Sequence, residues 1–168
     1  MNKLTDILFF FLVFLFQVVL TDYLYTGPYL YICLIPFLIA NIPFSRRPQF
    51  VLLAAFGMGL MLDLLSDGVA GLNAAAAVAA AASRKLFYRT LVNNDRQDKT
   101  EVPVPGLVGI DKYLKYMAAL TAVYMTVYIL FDCISFRPAA FILIKLAVSI
   151  VVNTALGLLL GRAFQNRR

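Results

Sequence analysis

The sequence predicts an all-α polytopic membrane protein, one compact bundle of about six transmembrane helices. Three observations carry that reading. The 168 residues are 62% hydrophobic, whereas soluble domains run nearer 45–50%. Only 14% are charged, and the mean hydropathy is +0.82. The charges lie mostly between long apolar runs. So little polar surface cannot cover a water-facing core, so lipid is the solvent for most of the chain. A spanning helix needs about 20 residues, which leaves room for at most about six spans in a single domain covering 1–168.

The first expected span is 7–25, a phenylalanine-rich run after Lys3. It has the apolar length of a signal-peptide core, but bulky Tyr23, Leu24 and Tyr25 follow where small residues would mark cleavage. Tyr23, Tyr25, Tyr29 and Tyr31 around the next loop suit a membrane–water interface. The second span, 29–44, is short and carries Pro36, so a kink is expected, for packing or for function. Arg46, Arg47 and Pro48 then make a basic turn.

The third span, 50–66, places Ala55, Gly59 and Asp63 at intervals of four, hence on one face, with small residues where a neighbouring helix can approach. Gly68 and Gly71 form a tight turn before the fourth span, 72–89. That span opens on Asn73 and is nearly all alanine to Ala82, which favours helix and close packing inside the bundle. The stretch 92–111 is the longest polar segment, with Pro103, Pro105 and Gly106 toward its end, and reads as a solvated loop. The fifth span is 113–131. The sixth, 139–161, spaces Lys145, Ser149, Asn153, Gly157 and Gly161 by four. Such a row drifts about 40° per step around a helix, so Lys145, Ser149 and Asn153 still share a face. Gly157 and Gly161 form a GxxxG close-packing pair.

Charge sets the orientation. Of the 15 Lys and Arg residues, 13 fall on one side of a six-span chain, leaving Arg137 opposite and Lys145 within the membrane. By the positive-inside tendency both termini are expected in the cytoplasm. The net charge of +6 is therefore read as topology, since nucleic-acid binding needs its cations on one soluble face.

Catalysis finds little footing. There is no histidine, the single glutamate (Glu101) is in the polar loop, and no nucleophile–base spacing, Walker loop or dinucleotide fingerprint occurs. No catalytic residue, cofactor or metal site is expected. Cys33 and Cys133 lie singly near span ends, which leaves open a disulfide or two small buried apolar residues. The residue that stands out is Asp63, because a carboxylate within an apolar helix costs at least ~2.5 kcal/mol on insertion scales. Its partner is expected to be Lys145, which the opposed helix directions bring to a similar depth, or a polar group of a second protein.

The run from Gly59 through Asp63, Gly68 and Gly71 to Asn73 resembles MreD, the small polytopic membrane protein of the bacterial rod-shape machinery. The specific part of the resemblance is about fifteen residues, supported by total length and six spans with cytoplasmic ends. It implies a non-enzymatic inner-membrane subunit that scaffolds an MreC-like bitopic partner, works with MreB filaments and the RodA–transpeptidase pair, and supports peptidoglycan synthesis and cell shape. It also implies a fold similar to the substrate-binding subunits of energy-coupling-factor vitamin transporters. The rival expectation is accordingly a small-molecule binding subunit of a transporter, with Asp63, Asp67, Asn73, Lys145 and Asn153 as its few polar candidates. The residues expected to hold structure or meet a partner are Gly59, Asp63, Gly68, Gly71, Asn73, Lys145, Asn153, Gly157 and Gly161.

Overall fold

The computed structural model describes residues 3–23, 28–66, 69–92, 103–133 and 138–165, and every regular element among them is helical. In chain order these are α1 (Lys3–Tyr23), α2 (Ile35–Ala40), α3 (Pro48–Leu65), α4 (Leu72–Phe87), α5 (Pro105–Val108), α6 (Ile110–Cys133) and α7 (Ala139–Gln165), with a π-helical turn (Tyr88–Val92) continuing α4. Three of them, α3, α6 and α7, are long and apolar enough to cross a membrane, and a shorter apolar stretch runs Leu8–Tyr23. The chain is a helical protein with membrane-spanning character.

The packing follows from where the small residues lie. Val51, Ala55, Gly59, Leu62 and Asp63 form the buried stripe of α3. Ala74, Ala77, Ala80 and Ala81 supply that of α4. With so little side chain between them, α3 and α4 form an antiparallel pair. A Cβ built on Gly59 would stand 2.5 Å from the Ala74 Cα, so only glycine allows this approach. Helix α4 packs next on α6, and α6 on α7. The outward faces carry Leu53, Phe56, Met61, Leu64, Leu143 and Val151, all exposed, as a lipid-facing surface should be.

The second expected span is corrected. Residues 29–44 do not form one kinked helix: the chain is non-helical from 31 to 33, turns into helix at Leu34, and is helical only over α2. Pro36 lies in the first turn of α2, where a missing N–H costs nothing, so it starts a helix rather than bending one. All six residues of α2 are buried, and the helix contacts α1, α3, α4, α6 and α7. It is an internal plug.

The polar loop is corrected in part. Residues 93–102 lie outside the described residues, but Val104 and Pro105 are buried, and α5 is tied to α7 by the Gly106 N–H donating to Gln165 Oε1 at 2.8 Å. Hydrophobic Val104 and the prolines make this end of the segment a packing element.

Candidate functional site

Asp63 sits in the last turn of α3 and is 3% exposed. Its Oδ1 accepts from the Asn73 backbone N–H at 3.0 Å and from Asn73 Nδ2 at 2.9 Å. Its Oδ2 accepts from the Gly71 N–H at 3.0 Å and the Ala74 N–H at 3.1 Å. Gly71 is the N-cap of α4, in the left-handed region at φ 93°. The first amides of a helix have no intrahelical acceptor and carry its positive dipole end. The carboxylate of α3 therefore closes the amino end of α4, and that charge is compensated by oriented amides.

The expected Asp63–Lys145 pair is overturned. Lys145 Nζ lies 2.7 Å from Asp132 Oδ2, at the carboxyl end of α6, and forms a salt bridge there. A lysine two turns into a helix reaches toward the near interface along its own stem, and Asp132 waits at that depth. Asp63 needs no cation because four donors already converge on it.

From Asp63 a chain of hydrogen bonds crosses the interior. Asn73 Oδ1 accepts from Tyr124 Oη at 2.6 Å and from Tyr31 Oη at 3.0 Å. Cys33 Sγ donates to Tyr124 Oη at 3.2 Å. The Tyr31 and Tyr128 rings stack with centroids 4.1 Å apart. Cys33 is a buried free thiol, so it is not in a disulfide; the Cys133 side chain lies outside the described residues, as do Asp67 and Gly68.

The non-helical segment 31–34 runs from the half-buried Tyr31 and Ile32 to the buried Cys33 and Leu34, where non-helical backbone survives only if protein satisfies it. Two amide side chains do so from opposite sides. On one side Asn153 of α7 donates through Nδ2 to the Tyr31 carbonyl at 2.7 Å and accepts at Oδ1 from the Cys33 N–H at 2.7 Å. Ser149 Oγ accepts the Tyr31 N–H at 3.0 Å. On the other side Gln17 of α1 donates through Nε2 to the Ile32 carbonyl at 3.2 Å and accepts at Oε1 from the Leu34 N–H at 2.7 Å. Each amide reads alternate residues, Asn153 the carbonyl of 31 with the N–H of 33 and Gln17 the carbonyl of 32 with the N–H of 34, as a neighbouring strand would. Gln17 and Asn153 are a side-chain substitute for a sheet.

The structure therefore brings together Gly59, Asp63, Gly71 and Asn73 at the α3–α4 turn, and joins Asn153 to them through Tyr31 and Cys33. Lys145 belongs to a separate pair. Gly157 and Gly161 are buried on the face of α7 against α6, where a Cβ would meet Met117 Cε at 2.6 Å and Tyr113 Oη at 2.7 Å. Gln17, Tyr31, Tyr124 and Tyr128 join the network without standing among the residues that the sequence singles out. Gln17 had a signal, as the one polar residue in the apolar run 7–20. The tyrosines had none, since nothing in their spacing separates a buried hydroxyl from an interfacial one.

Beside this network a polar cleft of about 430 Å³ is lined by Thr21, Asp22, Tyr31, Ser66, Asn73 and Asp132, among others. It lies where the carboxyl ends of α1, α3 and α6 meet the amino end of α4. Among the described residues no three metal-ligating side chains come together. The chain was compared with protein-family models, with curated proteins and with solved structures, and none matches.

Proposed function

We propose that the chain is a non-enzymatic, multi-pass subunit of the bacterial inner membrane that scaffolds an MreC-like bitopic partner in the rod-shape machinery, with about six membrane crossings, the second made by the broken segment 29–44 rather than by a spanning helix, and both termini in the cytoplasm. One observation carries the reading. The run that resembles MreD, 59–73, acts as one device: Gly59 lets α4 approach, Asp63 closes its amino end, Gly71 turns the chain and Asn73 passes the contact inward. The conspicuous charge of the bundle is spent on holding two helices in fixed register, as a rigid docking platform requires. Charge distribution supports the orientation. Arg46, Arg47, Arg84, Lys85, Arg89, Lys112, Lys115 and Arg162 lie toward the ends of α3, α4, α6 and α7 remote from the polar cleft, while Asp22 and Asp132 line the cleft itself.

Tagged protein purified from gently solubilised bacterial membranes should carry a bitopic protein with a periplasmic domain, and depletion should round elongated cells. Purification of a stoichiometric vitamin-like molecule instead would replace this reading with the transporter one. The polar cleft favours that second reading, because Tyr31, Asn73 and Asp132 offer a small polar ligand both donors and acceptors. For orientation, a cysteine placed at exposed Arg89 should resist impermeant maleimide in intact spheroplasts. Labelling from outside would invert the topology.

A further inference from the structure

A second concavity lies at the opposite end of the α3–α4 pair and belongs to none of the machinery above. It is an open crevice of about 230 Å³ between the start of α3 and the end of α4. Phe44, Val51, Leu52 and Ala81 give it apolar walls, and Arg46, Arg84 and Lys85 line it with positive charge.

Arg84 is the unusual member. It is 3% exposed. One of its terminal nitrogens, Nη2, donates to the Ile42 carbonyl, and its guanidinium carbon stands 4.0 Å above the Phe44 ring centre. Its Nε has no hydrogen-bond partner among the described residues. Nor does a carboxylate there pair with Arg84, Arg46 or Lys85. A buried charge without a counter-charge is costly. Asp63 at the far end of α4 is fully compensated, and this site is not. The amino end of α3 adds to the imbalance: no side chain caps it, so its first amides present a partial positive charge on the same side of the bundle.

We propose that this crevice binds an anionic phospholipid, with the phosphate diester held by Arg46, Arg84 and Lys85 and the adjoining acyl region lying on Phe44, Val51 and Leu52. The charge complementarity asks for an anion. The apolar walls, at helix ends that meet the bilayer interface, ask for one that carries a hydrocarbon chain. Basic pockets between membrane helices hold lipid headgroups in this way.

Thermal unfolding of the full chain in neutral detergent tests the site with three probes: dioctanoyl phosphatidylglycerol, dioctanoyl phosphatidylcholine and inorganic phosphate. Phosphatidylglycerol should raise the midpoint, and the other two should not. Arg46 and Lys85 are both exposed, so Arg46→Gln with Lys85→Gln should keep the ligand-free midpoint. That variant should weaken phosphatidylglycerol binding roughly thirtyfold, about fivefold for each juxtamembrane cation removed. Should the double variant fold poorly, wild-type binding in 1 M salt replaces it, where screening must weaken the interaction several-fold. Equal stabilisation by phosphatidylcholine would reduce the crevice to ordinary lipid contact. Equal stabilisation by inorganic phosphate would make it a free-anion site. Phosphatidylglycerol binding unaffected by the two substitutions or by salt would also overturn the assignment.

Discussion

Asp63→Asn separates a carboxylate that closes a helix from one that pairs with a cation. The substitution keeps the shape and one acceptor oxygen but replaces the other with an amide that donates. Two N–H groups lose their acceptor whichever way the new amide turns: those of Gly71 and Ala74 if it sits at the Oδ2 position, or both donors of Asn73 if it is flipped. Hydrogen bonds to a charged group contribute about 1.5–3 kcal/mol each. Loss of two, with a donor now facing donors, should destabilise the fold by roughly 3–6 kcal/mol. Charge at the dipole end adds up to ~2 kcal/mol in partly buried sites, so the upper half of that range is expected. Lys145→Met is the comparison. Its bridge to Asp132 is partly exposed, with side chains 13% and 37% accessible, and such pairs contribute about 0.2–1 kcal/mol. Denaturant unfolding in mild detergent, followed by circular dichroism, gives both values. An Asp63→Asn variant within ~0.5 kcal/mol of wild type would refute the closure argument. Rescue of Asp63→Lys by Lys145→Asp would restore the ion pair that the structure replaces.

Gly59→Ala should cost about 1–3 kcal/mol of overpacking, because its Cβ meets the backbone of Ala74 and Asn73. Gly57→Ala, with nothing within 4 Å of its Cβ, should instead gain up to ~1 kcal/mol of helix propensity, and the two melting curves should move in opposite directions. Asn153→Leu leaves the Tyr31 carbonyl and the Cys33 N–H without partners at about 1–3 kcal/mol each, a loss that unfolding titration reads directly. Gly71→Ala should cost about 1–2 kcal/mol through its left-handed backbone alone, since its Cβ would meet no atom within 4 Å; an unshifted midpoint would mean the turn relaxes freely.

The sequence made the helical, lipid-facing character legible because composition and periodicity are properties of the chain alone. It also made Gly59 and Asp63 conspicuous, since a small-residue stripe with a carboxylate at its end breaks an otherwise apolar pattern. Two things were hidden, for different reasons. The sequence points Asp63 to Lys145 or to a polar group of a second protein, whereas its partners are the Asn73 side chain and a row of backbone amides, which every residue except proline possesses and which composition cannot reveal. The broken second segment was hidden because 29–44 is apolar enough for a span. What satisfies the backbone of residues 31–34 outside a helix is supplied from 17, 149 and 153, so the local sequence holds only half the information.

Those two hidden features answer one physical question at different places. Helix α4 is buried from Asn73 onward and segment 31–34 passes non-helically between helices, so each presents backbone groups that neither lipid nor its own element can satisfy. In both places a side chain from another helix does so: Asp63 for the amides of α4, Gln17 and Asn153 for the non-helical segment. Asn73 and Tyr31 belong to both arrangements, and Asn73 Oδ1 accepting from Tyr31 Oη joins them. A shift of α3 against α4 would therefore disturb the segment between α1 and α7, although α3 itself makes no hydrogen bond to 31–34 among those described. The interior polar groups couple the outer helices α1 and α7 into one register with the framework fixed at the α3–α4 turn.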